Sequence, residues 1–143
     1  MIVENSFEDK IFPELKKYVE EKSIYNPTVT KAMPQQSKVF PIVPVKLLPV
    51  TNKYNNLSYG EETYTFGIEV EIYAIASGKT SKRTICNEVT GQVVDYFKNN
   101  YHVTIKTELD ALNADSNVHR NIIKITGTLD TKYGLDNLVI YPV

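Results

Sequence analysis

Apolar and polar positions along this chain follow two different periods, and the changes of period mark out its elements. Between Ser6 and Glu21, Phe7, Ile11, Leu15, Tyr18 and Val19 recur at helical spacing with Glu and Lys on the other face, which predicts an amphipathic helix. Ser6 followed by Asp9 has the form of a weak capping pair, while Pro13 calls for a kink or for a helix that begins there with Pro in its first turn. Residues 22–37 lose periodicity, and Asn26-Pro27 and Pro34 predict a loop or arm. From Lys38 to Thr51 the run KVFPIVPVKLLPVT is β-branched and apolar, but Pro41, Pro44 and Pro49 each remove a ladder donor, so a bent edge strand is expected. Asn52 to Thr63 is polar and long enough to predict a projecting loop.

The clearest strand follows. Tyr64, Phe66, Ile68, Val70, Ile72 and Ala74 alternate with Thr65, Gly67, Glu69, Glu71 and Tyr73, giving one core face and one face that is wet or meets a partner. Ser77-Gly78 breaks it, and Thr80 or Ser81 can cap a helix running to about Asn100. In that helix Ile85, Val89, Val93 and Phe97 recur every four residues, so it is expected to pack on Phe66, Ile68, Val70 and Ile72 or their alternates. Gly91 in its interior suggests a close backbone approach. A strand from His102 to Ala111, with Val103, Ile105, Thr107 and Leu109 on one face, is separated by the polar loop Asn113 to Asn117 from a strand Arg120 to Leu129, and the two predict a hairpin. Leu138 to Tyr141 reads as a last short strand or docking segment. The order helix, strand, strand, helix, strand, strand predicts an α+β fold: a mostly antiparallel sheet with two main helices on one face. One domain over residues 1–143 is expected, with an arm at 22–37 and a C-terminal extension at 131–143.

Composition narrows the function classes. At 143 residues the chain can bury a core without staples, and a single cysteine, Cys86, excludes an internal disulfide framework or a multi-cysteine zinc site. No apolar run approaches the length of a membrane span, and the start MIVENSFEDK lacks the basic and apolar regions of a signal peptide, so a non-exported protein with no membrane partner is expected. Net charge is −1, but in blocks: residues 23–60 hold Lys31, Lys38, Lys46 and Lys53 and no acid, and residues 61–76 hold Glu61, Glu62, Glu69 and Glu71 and no base. Such blocks describe either a mixed-sign solvated surface or complementary patches for association of like subunits.

Candidate chemistry is thin. Gly78-Lys79-Thr80 sits where a phosphate-binding loop would end, but Tyr73 stands in place of its opening glycine. His102 and His119 have no nucleophile or carboxylate at a catalytic spacing, and Cys86 lies on the apolar side of its helix, so all three read as structural. No catalytic residue, metal site or cofactor is expected, and the chain is read as not an enzyme. Lys79, Lys82 and Arg83 gather at a helix N-terminus, where the dipole disfavours cations; solvent, a carboxylate of a neighbouring subunit or a nucleic-acid phosphate would relieve this. Glu69, Glu71 and Tyr73 share one strand face and form an acid pair or, more simply, a solvent or interface face. These six residues are the candidates for a subunit boundary or a lumen.

Three stretches together resemble a known family. KVFPIVPVKLL is similar to the proline-bearing first strand, YTFGIEVEIYAIASGKTSKRTICNEVTGQVVDYF to the strand-to-helix centre, and NADSNVHRNIIKITGTLD to the last hairpin of the tail terminator (tail completion) proteins of long-tailed bacteriophages and prophage-derived tail particles. The resemblance spans residues 38–130. It implies a structural virion protein whose subunits form a homo-oligomeric ring, typically a hexamer, that caps the tail tube, ends its polymerisation and offers a head-joining surface. The implied partners are further copies of itself, the tail tube protein and a neck or head-completion protein, with non-specific contact with passing DNA; the implied location is the head-proximal end of the virion tail, assembled in the host cytoplasm. A head–tail connector or stopper subunit is the neighbouring reading, and a small enzyme or a nucleic-acid-binding accessory protein are the readings from other classes.

Overall fold

The computed structural model describes residues 2–31, 39–49, 51–56 and 61–130. Helix α1 (Ile2–Ser6), a π-helical turn (Phe7–Ile11) and α2 (Phe12–Lys22) follow one another without a break. Ser6 is helical and its side chain makes no capping bond, so the helix starts before the expected cap. The reason for the π-turn is Pro13. It has no N–H to give to the carbonyl four residues back and its ring crowds that carbonyl; the N–H of Phe12 bonds instead to Phe7 O, five residues back, which widens the turn ahead of the proline.

The sheet has six strands: β1 (Thr28–Thr30), β2 (Ile42–Leu47), β3 (Thr51–Asn56), β4 (Glu61–Ala74), β5 (Thr104–Glu108) and β6 (His119–Asp130), with α3 (Lys82–Asn100) between β4 and β5. Its order is β1-β2-β4-β6-β5, with β3 pairing the other part of β4. The β1/β2 pair is parallel and the remaining pairs are antiparallel. The fold class is the expected α+β, with two strands more than the sequence pattern suggested. β1 lies in the stretch read as a loop or arm, and β3 in the stretch read as a projecting loop. β2 is no edge strand at its start: Pro44 is the last residue to face β1, which is only three residues long, so the missing donor falls where that ladder ends. The expected elements at Lys38, at 32–37 and at Leu138 to Tyr141 lie outside the described residues.

Alternation does what it predicts in β4. Phe66, Ile68, Val70, Ile72 and Ala74 are buried in one cluster with Ile85, Val89, Val93 and Phe97 of α3, and with Leu15 and Val19 of α2. Each of the Val, Leu, Ile and Phe side chains contributes about 1.5–3 kcal/mol relative to leaving it in water. Ser81 caps α3, accepting from the N–H of Thr84 at 3.2 Å. Gly91 is exposed and an added Cβ there meets no atom within 4 Å, so the expected close approach does not occur. The helices are tied to one another through tyrosines: Tyr96 OH donates to Glu14 Oε2 at 3.0 Å and lies 3.0 Å from Tyr101 OH. Burial raises both phenol pKa values above the ordinary range.

Two sheet edges contrast. At β1, Lys16 Nζ of α2 donates to Val29 O at 2.8 Å, and Glu20 Oε2 accepts from Val29 N at 3.1 Å, while Lys16 and Glu20 pair at 2.7 Å. Helix side chains therefore occupy both main-chain groups of Val29. At β5 no strand pairs with the outer edge among the described residues, and Thr104, Lys106, Thr107 and Glu108 are exposed.

Candidate interaction surface

Strand directions bring four connections to one end of the sheet: residues 23–27 before β1, 39–41 before β2, 75–81 after β4 and 109–118 before β6. The N-terminus of α3 emerges at the same end. All the large apolar residues that stand exposed among the described residues, Ile24, Val39, Ile75, Leu109 and Leu112, are in these connections, and Leu112 is 93% exposed. Leu109, expected on the apolar face of its strand, instead leaves β5 at a bend. Ile24, Phe40, Ile75 and Ile85 line a cavity of about 250 Å³ on one side of the α3 N-terminus, and Lys82, Arg83, Asp110, Leu112 and Asp115 line another of about 410 Å³.

The candidate residues divide into groups here. Lys79 is at the exposed tip of a tight turn in which Ser77 and Thr80 exchange main-chain bonds of 3.0 and 2.9 Å and Gly78 takes φ +57°. That geometry is a two-residue turn and holds no phosphate cradle. Lys82 donates to Ser116 O, and Arg83 Nη2 lies 3.7 Å from Asp110 Oδ2. Lys82 and Arg83 are thus met by a carbonyl and a carboxylate of their own chain. On the opposite side of the sheet, Tyr73 and Arg120 are register partners; the Arg120 guanidinium pairs with Glu71, sits 5.7 Å from the Tyr73 ring centre and donates to Leu112 O at 2.9 Å. Loop 109–118 therefore joins Lys82 and Arg83 to Glu71 and Tyr73. Glu69 stands apart, in a cross-strand row that runs Lys46, Glu69, Lys124, Lys106.

Beneath the loop lies a polar network that the sequence reading passed over. Asn121 is fully buried on the helix side of β6: its amide nitrogen donates to Asn87 Oδ1 and Thr90 Oγ1, both at 2.9 Å, and its oxygen accepts from Asp110 N at 2.9 Å. His119 Nε2 is 3.1 Å from the same oxygen, and its Nδ1 is 3.5 Å from Asp110 Oδ1. The signal was a polar residue in phase with Ile123 and Ile125 on the inward parity of β6. This cluster pins the loop, and every one of its Asn121 bonds is internal.

Cys86 is buried and its thiol is pushed up to about 12 by desolvation, with Sγ donating to Ile72 O at 3.3 Å, so it is not a thiolate at neutral pH. Among the described residues no group of three or more His, Cys, Asp or Glu is placed to hold a metal ion, and no helix is long and apolar enough to cross a membrane. A further cavity, of about 590 Å³, is at the other end of β5 and β6, lined by residues such as Lys98, Tyr101, His102 and Thr128. In comparison with known proteins, the chain matches no family model and no curated sequence.

Proposed function

We propose that this chain is a structural subunit of the tail terminator kind: copies assemble head-to-tail into a closed ring that caps a phage tail tube, ends its growth and gives the head a surface to join. The observation that carries the reading is the gathering of exposed apolar side chains at one end of the subunit beside Lys79, Lys82 and Arg83. Apolar residues scattered singly need no explanation, but a collection at one end of a molecule is the kind of surface that association covers. The stretches that resemble the family also supply β2, β4 with α3, and β6, which are neighbours in space and make up the centre of the fold. A ring of this kind requires two different patches on each subunit, and the loop end provides one of them.

The test is mass and morphology. Light scattering and electron microscopy of the purified protein are expected to give closed rings, and deletion of the protein from a phage that encodes it is expected to give tails of uncontrolled length without heads. A protein that remains monomeric, or a deletion that leaves normal, head-joined tails, removes the reading. Detectable turnover of a substrate, or a DNA-dependent shift in mobility with no ring, would favour the enzyme or the nucleic-acid reading instead.

A further inference from the structure

We infer that the open edge of β5 is a self-pairing surface, on which β5 of a second copy adds antiparallel about a two-fold axis at Thr107, so that one sheet runs through both copies. This goes beyond the ring reading and does not rest on it. The first ground is the contrast between edges: α2 covers the main-chain groups of Val29 at β1, whereas among the described residues β5 has β6 on one side and no strand on the other. An unpaired edge with exposed side chains is a template for a further strand.

The second ground is the order of residues around Thr107. Reversed on itself, the segment Lys106-Thr107-Glu108 is complementary: Lys106 meets Glu108 of the second copy, and Glu108 meets Lys106 of the second copy. Pairs directly opposite on one face of an antiparallel ladder interact most strongly. A third ground is that these charges form no ion pair among the described residues. Lys106 stands across from Lys124, a like charge, and Glu108 stands across from Ile122. The second copy places a carboxylate at the end of the Lys124–Lys106 row and an ammonium beside Glu108. The contact is isologous and closes at two.

The experiment is a charge swap read by sedimentation equilibrium on the full chain, comparing wild type, Lys106→Glu, Glu108→Lys and the double variant. Each single change turns both symmetry-related pairs into like-charge pairs, and is expected to weaken self-association by about tenfold or more; the double variant is expected to restore it. Thr107→Cys provides an independent reading: at the two-fold position it is expected to cross-link to itself under mild oxidation, with the buried Cys86 silent. A wild type that shows no self-association, single variants that associate as wild type does, a double variant no better than the singles, or no cross-link at Thr107→Cys would each overturn the inference. A pair that never grows beyond two leaves the inference standing and removes the ring; rings indifferent to the charge swap do the reverse.

Discussion

An added Cβ at Gly127 would lie 2.9 Å from Phe66 Cζ and 3.1 Å from Val103 Cγ1, whereas one at Gly91 would meet only open space. The two glycines should therefore respond oppositely to alanine. Gly91→Ala removes a flexible residue from an exposed helix position and is expected to stabilise by about 1 kcal/mol, and Gly127→Ala overpacks a seat shared by two side chains and is expected to cost about 1–3 kcal/mol, both read from urea unfolding. Asn121 is the residue with most at stake. Asn121→Ala leaves Thr90, Asn87, His119 and the Asp110 N–H without their common partner, and is expected to cost at least about 2 kcal/mol and to speed hydrogen exchange at Asp110. At this scale the sequence was legible where one residue decides the outcome: the Ser81 cap, the buried Cys86 and the core positions of α3. Gly91 misled because an interior glycine has the same spelling whether or not another backbone approaches it. Asn121 was missed because its four partners come from α3, from β6 itself and from the turn after β5, which no local window contains.

At the scale of elements, length and periodicity decided what could be read. β4 and α3 are long enough for their periods to declare themselves, and their mutual packing followed from matched apolar faces. β1 has three residues and β3 is polar throughout, so neither shows an alternation that could mark it. Both exist because longer neighbours offer a ladder. The π-turn is likewise an element imposed by a neighbour, Pro13, rather than by its own sequence FEDKI. The link between α2 and α3 through Glu14, Tyr96 and Tyr101 carries a pH dependence. Tyr96 and Tyr101, raised by burial, hold their protons more tightly in the fold than in the unfolded chain, as does Cys86. This contribution is complete below the unfolded-state values, 10.0 for tyrosine and 9.0 for cysteine, and is lost as pH rises above them, because the unfolded chain then sheds protons that the fold keeps. Tyr96→Phe should cost about 1–2 kcal/mol at neutral pH through lost hydrogen bonds, yet show a shallower alkaline decline; urea midpoints between about pH 8 and 11 measure both.

Across the whole molecule, the charge blocks of the sequence acquire a simple meaning. The basic block supplies β2 and β3, the acidic block supplies β4, and β2 and β3 pair with successive stretches of one edge of β4, so Lys46 faces Glu69 within one subunit; Lys31 also pairs with Glu8. Complementarity that the linear pattern allowed to be intermolecular is in these cases met within the subunit, and the proposed ring would draw on the apolar loop end. Leu112→Ser combined with Ile24→Ser is accordingly expected to reduce assembled mass in light scattering while leaving the melting temperature within about 2 °C, since surface changes at such exposed positions fall within about 0.5 kcal/mol. Loops from four places in the chain had to meet before that end could be recognised, which is why no stretch of sequence announced it. The Lys16–Glu20 clamp on Val29 bears, finally, on how this protein fails. The clamp exists only while α2 is helical; once that helix frays, Val29 regains a free N–H and a free carbonyl in a strand beside the β-branched run of β2, and becomes a seed for intermolecular sheet growth. A Lys16→Ala chain should therefore deposit insoluble aggregate sooner on warming than its small loss of equilibrium stability would suggest.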